Sequence, residues 1–398
     1  MERTATRNLV ESWAAWPRYS DAEVEAATRV LRSGRVNQWT GSEIREFERE
    51  YAASLGRRHA VALMNGTVAL ELALAALQVG PGDEVVTSPR TFIASASAAV
   101  MRGATPVLAD VDRDSGNIGA AQVERVLTPR TKAIIVVHLG GWPADMTSIM
   151  ELASSRGVAV IEDCAQAHGA RHRGEQVGTF GDVAAFSFCQ DKIITTGGEG
   201  GLIALDDEAT FKAAWSYKDH GKGYDSVHSK AHPPGFRWLH ETFGTNWRMT
   251  EFQAAIGRVQ LARLEHDLAL RQRNAALWTE RLNGLPALRT PQPDEADRHA
   301  YYRFYTYVRP EALASGWSRD RIREELRDAG LNVTSGSCGE IYREEAFVTA
   351  GLGPREPLPV ARELAETSLA FLTHPTLTPE AIEEAADMVA AVIRVATR

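Results

Sequence analysis

The sequence contains little cysteine, and the few cysteines have no spacing typical of a metal site. Three of the 398 residues are cysteines. They are Cys164, Cys189 and Cys338. An odd number of widely spaced cysteines is typical of free thiols in a reducing cytosol. We therefore predict a cytoplasmic protein without a metal site.

Long apolar runs and an excess of basic charge are also missing. No apolar stretch reaches the length that crosses a membrane, and residues 1–7 lack the apolar core of a signal peptide. The net charge is -8 at pH 7, which leaves no basic patch for nucleic acid. These absences predict a protein that binds neither membranes nor nucleic acid.

Strand-like and helical segments alternate through the first half of the chain, which indicates an α/β fold with a mostly parallel sheet. Ser20 and Glu23 form a capping box that begins a helix, and Gly34 ends it. The strand-like runs are residues 84–87, 106–109, 133–137, 158–161, 183–188 and 202–205.

The segment 182–201 combines an apolar strand pattern with a hydroxyl group, a lysine and a glycine-rich turn. A lysine on such a strand is costly to bury as an ammonium ion. Its amine becomes useful if it stays near neutral or forms a Schiff base. Lys192 could instead be a surface residue at the end of a strand, but Ser187 and the glycines after Lys192 favour the chemical role.

Two carboxylates, Glu162 and Asp163, follow the apolar run 158–161. Ligands bind at the carboxyl ends of strands in open α/β sheets. We expect one carboxylate to cap a helix and the other to pair with a basic ring nitrogen of a ligand. Pyridoxal phosphate has such a nitrogen, and it also requires a lysine and a phosphate cradle.

A candidate phosphate cradle lies at Asn65-Gly66-Thr67, between a short strand-like run and a long Ala/Leu helix. The N-terminus of a helix after a glycine offers free N–H groups and the positive end of the helix dipole. Many α/β proteins cap a helix in this way without binding phosphate, so this pattern indicates an anion site only together with Lys192 and Asp163.

With these motifs in this order, the chain resembles the DegT-type nucleotide-sugar aminotransferases, which are pyridoxal phosphate enzymes of fold type I. The resemblance runs from about residue 39 to residue 376. It is densest at residues 65–67, 162–168, 187–201 and 246–251. It implies a mostly parallel central sheet with a smaller α+β C-terminal domain. We place the large cofactor-binding domain at residues 1–250 and the linking helix and small domain at 251–398. The N-terminal helix could pack on the small domain.

The resemblance implies eight cofactor contacts. These are Gly66, Thr67, Phe92, Asp163, Gln166, Ser187, Lys192 and Asn246. Lys192 matches the lysine that binds the cofactor and serves as the catalytic base. Asp163, also catalytic, matches the acid that holds the ring nitrogen, and Gln166 matches the residue near the ring hydroxyl. Gly66, Thr67 and Ser187 match phosphate ligands.

Two of these positions carry further implications. Phe92 matches an aromatic ring stacked on the cofactor, although such a residue is otherwise expected in the core. Asn246 matches a residue that reaches the phosphate of the neighbouring subunit, so the resemblance implies a homodimer with shared active sites. The segment 217–245 has no periodicity and ends at Asn246. We interpret it as an arm across the subunit interface.

The implied reaction is ping-pong transamination from glutamate or glutamine to a keto-sugar nucleotide, which gives an amino sugar. A keto-cyclitol or another keto-sugar is an alternative acceptor. A sugar dehydratase is a second alternative, but those relatives carry histidine in place of the lysine at position 192. Two side chains remain open: His168 either contacts substrate or is structural, and Arg90 faces either a nucleotide phosphate or, as we expect, solvent.

Overall fold

The structure is a computed structural model that describes residues 13–331, 333–354 and 356–398. The N-terminal residues 1–7, in which we predict no signal peptide, lie outside the described residues. The strands are β1 (His59–Leu63), β2 (Glu84–Thr87), β3 (Thr105–Leu108), β4 (Thr131–Val137), β5 (Ala159–Asp163), β6 (Arg171–His172), β7 (Glu175–Gln176), β8 (Val183–Ser187), β9 (Gly201–Leu205), β10 (Leu288–Arg289), β11 (Phe304–Val308) and β12 (Ser368–Phe371).

Helices cover both the strand-rich half and the C-terminal half of the described chain. The α-helices are α1 (Asp21–Ser33), α2 (Glu43–Leu55), α3 (Gly66–Ala76), α4 (Ala94–Met101), α5 (Ala120–Glu124), α6 (Met146–Arg156), α7 (Glu208–Lys218), α8 (Tyr224–His228), α9 (Glu251–Ala262), α10 (Leu264–Leu282), α11 (Arg319–Asp328), α12 (Glu345–Ala350), α13 (Pro359–Thr367) and α14 (Pro379–Ala396). Short 3-10 helices occupy Leu139–Gly141, Pro310–Ala312 and Ile341–Arg343.

A seven-stranded sheet forms the centre of the molecule in the order β1-β9-β8-β5-β4-β2-β3. Only β9 runs antiparallel to its neighbours, which confirms the predicted mostly parallel sheet. All five residues of β8 and of β9 are buried, as expected for strands covered on both faces. Asp163 and Ser187 are the last residues of β5 and β8. Their side chains therefore lie at the edge of the sheet where ligands bind in such folds.

The C-terminal part builds a second, smaller sheet of three antiparallel strands in the order β10-β11-β12. Its apolar face packs on α10, α11 and α14, with Trp278, Phe304 and Phe371 in the shared core. Tyr301 has a φ of 47°, a left-handed conformation that is uncommon for a side chain of this size. The aromatic run 301–308 predicts a strand over its whole length, but this bend shortens it, and β11 begins at Phe304.

Two other predicted elements differ from the structure. The apolar pattern of residues 250–273 predicts one long linking helix. The structure has two helices there, α9 and α10, because the chain leaves helical geometry at Arg263, where φ is -104° and ψ is 3°. The segment 217–245, predicted to lack periodic structure, contains the end of α7 and all of α8. The helix α1 packs against α9, and the domain limits at residue 250 stay a prediction.

Among the described residues, no helix is both long enough and apolar enough to cross a bilayer.

Candidate active site

A cavity of 590 Å³ opens at the carboxyl ends of the parallel strands and is lined by residues from both sheets. Seven of the eight predicted cofactor contacts line it. They are Gly66, Thr67, Phe92, Asp163, Gln166, Ser187 and Lys192. The eighth, Asn246, is exposed and does not line the cavity of its own chain. Its predicted role requires a second subunit.

The N-terminus of α3 forms an anion cradle beside β8. The side chain of Asn65 accepts a hydrogen bond of 3.0 Å from the N–H of Val68. The N–H groups of Gly66 and Thr67 accordingly have no hydrogen-bond partner among the described residues. A Cβ atom on Gly66 would lie 2.5 Å from the Cβ of Ser187, so only glycine permits this close approach. The cap uses Asn65 and leaves two donors for a ligand.

Asp163 is buried and lines the floor of the cavity. Its Oδ2 accepts a hydrogen bond of 2.7 Å from Ser95, and its Oδ1 accepts one of 3.1 Å from the N–H of Ala165. The hydroxyl of Thr91 lies 2.8 Å from that of Ser95. These contacts hold the carboxylate in one orientation at the floor of the site.

Glu162 points to the other side of β5 and has a structural role. Burial alone would raise the pKa of this carboxyl, but hydrogen bonds from His138 and from backbone N–H groups hold it below its usual value. Those N–H groups belong to the loop 178–181. Neither Glu162 nor Asp163 caps a helix, because turns follow β5, so that prediction was wrong. His138, Glu162 and Cys164 could offer metal ligands within 4.8 Å of one another, but the oxygens of Glu162 already accept these hydrogen bonds.

Lys192 lies in the loop after β8, beyond the end of the strand. The expectation of a lysine on the strand was therefore wrong. Its Nζ is 4.8 Å from the centre of the Tyr302 ring, and its carbonyl accepts a hydrogen bond of 3.1 Å from the indole of Trp16. Burial lowers the pKa of the Lys192 amine, with Asp191 and Asp163 opposing that shift. An amine in such a cavity is not a surface lysine, and it is closer to the neutral form that attacks carbonyl groups.

Gln166 joins two loops at the cavity wall. Its Oε1 accepts a hydrogen bond of 2.7 Å from the N–H of Gly140, and its Nε2 donates one of 3.2 Å to the hydroxyl of Ser337. Both ends of the amide are held, so one edge of the side chain faces the cavity in a fixed orientation.

His168 lies below the site and is structural. Its Nε2 donates a hydrogen bond of 3.0 Å to the carbonyl of Ser187. Its Nδ1 accepts one of 2.7 Å from the hydroxyl of Tyr51. Burial lowers the pKa of the imidazole to about 3. The neutral ring thus supports the end of β8 and does not reach the cavity.

Phe92 lies at the cavity, whereas Arg90 is buried away from it. Phe92 is 64% exposed at the cavity, so the alternative of a core position was wrong. Arg90 is 1% exposed, and its Cζ lies 5.5 Å and 5.6 Å from the ring centres of Tyr305 and Tyr307. The expectation that Arg90 faces solvent was therefore wrong. It also lies outside the lining of the cavity.

Several cavity residues had no motif to identify them. Tyr302, Arg303 and Tyr305 enter the cavity from the segment before and within β11, and Asp191 enters from the loop of Lys192. A charged residue within an otherwise aromatic run, as at Arg303, was the one available signal. The left-handed bend at Tyr301, next to these residues, cannot be predicted from residue type.

Pyridoxal phosphate fits this arrangement, because the cavity offers two free N–H groups for its phosphate, a carboxylate for its ring nitrogen and an amine for its aldehyde. The fold and the cavity are those of a fold type I pyridoxal phosphate enzyme. The chain belongs to the DegT/DnrJ/EryC1/StrS aminotransferase family, whose model matches residues 17–390. It is therefore a pyridoxal phosphate-dependent aminotransferase.

Three relatives show the range of this similarity. The chain is 43% identical over 293 residues to GDP-perosamine synthase of Caulobacter vibrioides, which covers 73% of this chain and 75% of that protein. It is 37% identical over 355 residues to 3-amino-5-hydroxybenzoate synthase of Amycolatopsis mediterranei, covering 89% and 88%. The crystal structure of an aminotransferase from Psychrobacter cryohalolentis superposes with a TM-score of 0.94 at 49% identity, covering 96% of this chain and 99% of that one.

Proposed function

We propose that this enzyme moves an amino group from glutamate or glutamine to a keto-sugar nucleotide and so makes an amino sugar. The observation that carries the proposal is the shared cavity of Lys192, Asp163 and the cradle at Gly66. An amine of lowered pKa, a buried acid and an anion site are the groups that transamination requires. The similarity to a relative named GDP-perosamine synthase supports a sugar-nucleotide acceptor.

Lys192 and Asp163 are the residues to which we assign chemistry. Bound pyridoxal phosphate supplies an aldehyde that captures amines and a ring that withdraws electrons. We assign Lys192 Nζ to remove the proton from the α-carbon of the donor and to return a proton at the acceptor carbon. Its lowered pKa favours the neutral amine that a base requires. Asp163, fixed by Ser95, keeps a proton on the ring nitrogen.

The other predicted contacts position the cofactor. Gly66 and Thr67 would donate N–H groups to the phosphate, and Ser187 would donate its hydroxyl. Phe92 would cover one face of the ring. Asn246 would reach the phosphate of a second copy of the chain, which is the basis for the predicted homodimer. This homodimer and the cytoplasmic location stay predictions.

The alternatives concern the acceptor and the type of reaction. The name 3-amino-5-hydroxybenzoate synthase describes a product that is not a sugar, so a keto-cyclitol remains a second candidate acceptor, beside other keto-sugars. A dehydratase is disfavoured, because Lys192 provides the amine that such relatives replace with histidine.

The test is the absorption spectrum of the purified protein with pyridoxal phosphate, before and after L-glutamate or L-glutamine. We expect the wild type to show the cofactor band and to convert it to the pyridoxamine form. Lys192→Ala should lose that conversion, and Lys132→Ala, at an exposed position on β4, should retain it. Conversion by Lys192→Ala at the wild-type rate, or no conversion by the wild type with either donor, would refute the proposal.

A further inference from the structure

The cavity contains two cationic side chains among the described residues that line it, Lys192 and Arg303. Lys192 is required for the chemistry. An amino-acid donor brings at least one carboxylate into the cavity, and a buried carboxylate requires a cationic or N–H partner. Among the described residues of this chain that line the cavity, Arg303, whose side chain is 19% exposed, is then the cationic side chain available for that carboxylate.

Arg303 is held in position without using all its donors. Its Cζ lies 4.4 Å from the centre of the Tyr302 ring. Its Nη1 donates to the carbonyl of Tyr302 at 3.3 Å, and its Nη2 donates to Asp191 at 3.4 Å. Both bonds are long. A guanidinium has five N–H donors in a planar fork that matches a carboxylate, so Arg303 keeps donors for a ligand.

The position of Arg303 relative to Lys192 indicates which carboxylate it can bind. Lys192 Nζ and Arg303 Cζ both lie against the ring of Tyr302, at 4.8 Å and 4.4 Å from its centre. The amine of the donor must take the place of the Lys192 amine. The α-carboxylate is attached to the same carbon as that amine, whereas a side-chain carboxylate lies several bonds away. In a sugar nucleotide the phosphates are separated from the keto carbon by ring atoms. Of these anionic groups, the α-carboxylate therefore lies nearest to the nitrogen that replaces the Lys192 amine.

We propose that Arg303 binds the α-carboxylate of the amino donor, an inference that rests on the transaminase function proposed above. Asp191 complements this role, because it accepts hydrogen bonds from both Tyr302 and Arg303. It thereby balances the charge of the guanidinium when no carboxylate is bound. The same cavity can then accept a donor with an α-carboxylate and, in the second half of the reaction, an acceptor that lacks one.

The test measures the donor half-reaction of the cofactor-loaded enzyme by its spectrum. Arg303→Met should raise the glutamate concentration for half-maximal conversion roughly 10- to 100-fold, and Arg303→Lys should cause a smaller increase. Glutamine should be affected by the same factor, as a substrate or as a competitor of glutamate, because it retains the α-carboxylate and lacks the side-chain carboxylate. Arg289→Met is the matched control, since Arg289 stacks on Tyr307 at 4.5 Å outside the cavity.

Three results would overturn the inference. The first is an unchanged half-saturating glutamate concentration in Arg303→Met. The second is a defect with glutamate alone, which would assign Arg303 to the side-chain carboxylate. The third is weaker binding of UDP or GDP with normal use of glutamate, which would assign it to the acceptor phosphates. If the wild type converts neither donor, the proposed function fails instead.

Discussion

Ser337 accepts a hydrogen bond of 3.2 Å from Nε2 of Gln166, and this bond joins a loop beside the small sheet to the turn after β5. The N–H of Ser337 in turn donates to the hydroxyl of Tyr305 at 2.9 Å. The orientation of Gln166, which we place near the cofactor ring, therefore depends on residues far away in the sequence.

This relationship predicts the effect of removing one hydroxyl group. In Ser337→Ala, the amide of Gln166 loses a partner, and we expect cofactor affinity to fall roughly 2- to 10-fold with the fold intact. Titration of the apo-protein with pyridoxal phosphate measures the effect. Ser335→Ala, in the same loop, should leave the affinity unchanged. Equal affinities of Ser337→Ala and wild type would show that Gln166 is positioned by Gly140 alone.

Asp163 should depend on Ser95 in a similar way. In Ser95→Ala the carboxylate loses its 2.7 Å hydrogen bond. We expect conversion with glutamate to slow roughly tenfold or more, because hydrogen bonds to charged groups contribute about 1.5–3 kcal/mol. Single-turnover rates test this, with Ser97→Ala on the same helix as control. A normal rate in Ser95→Ala would mean that the N–H of Ala165 suffices to hold Asp163.

The cradle predicts a steric effect at Gly66. In Gly66→Ala, the added methyl group would lie 2.5 Å from the Cβ of Ser187, so α3 or β8 must shift. The N–H groups of residues 66 and 67 would then no longer point at the phosphate. Retention of pyridoxal phosphate through dialysis should fall sharply. Gly80→Ala is the control, because a Cβ there meets nothing closer than a carbonyl oxygen at 4.0 Å. Full retention of pyridoxal phosphate by Gly66→Ala would show that the cradle does not bind the phosphate of the cofactor.

Buried histidines predict how stability depends on pH. Burial lowers the pKa of His168, His299 and His374 to about 3, below the value of about 6.5 expected in the unfolded chain. Above pH 6.5 both states are neutral and nothing changes. As the pH falls from 6.5 toward 3, only the unfolded state takes up protons. The free energy of unfolding should then fall by about 1.4 kcal/mol per pH unit for each histidine.

Urea unfolding at pH 7.5, 6.0 and 5.0 measures this dependence above the range in which carboxylates titrate. His374→Gln should flatten the profile, whereas a substitution at the exposed His266 should not. A midpoint that stays constant between pH 7.5 and pH 5.0 would contradict the prediction.

The sequence was informative where function depends on local pattern. The apolar strands, the capping box at Ser20 and the order of Gly66, Asp163 and Lys192 are local signals, and the structure brings these three residues to one cavity. Arg90 could not be placed, because its burial results from two tyrosines of β11 that are distant in sequence.

The cavity residues that the sequence did not identify, such as Arg303, also reach the site through packing between segments that are distant in sequence. Arg303 shares a cavity with Lys192 because the segment before β11, next to the bend at Tyr301, lines that cavity together with residues of the large sheet. Glu162 has a structural role and Asp163 faces the cavity because successive side chains along β5 point to opposite faces of the sheet. The N–H groups of the loop 178–181 donate hydrogen bonds to Glu162. This partner could not be identified from the sequence of β5.

The contact of Gly66 with Ser187 has a consequence for the stability of the whole enzyme. A phosphate bound there would touch the start of α3 and the end of β8 at once, and it would act as a non-covalent crosslink between that helix and the large sheet. Because such a ligand binds only the folded state, a concentration 100 times its dissociation constant would add about 2.7 kcal/mol to the free energy of unfolding. Even inorganic phosphate should therefore raise the melting temperature, with the size of the effect reporting the affinity of the cradle alone.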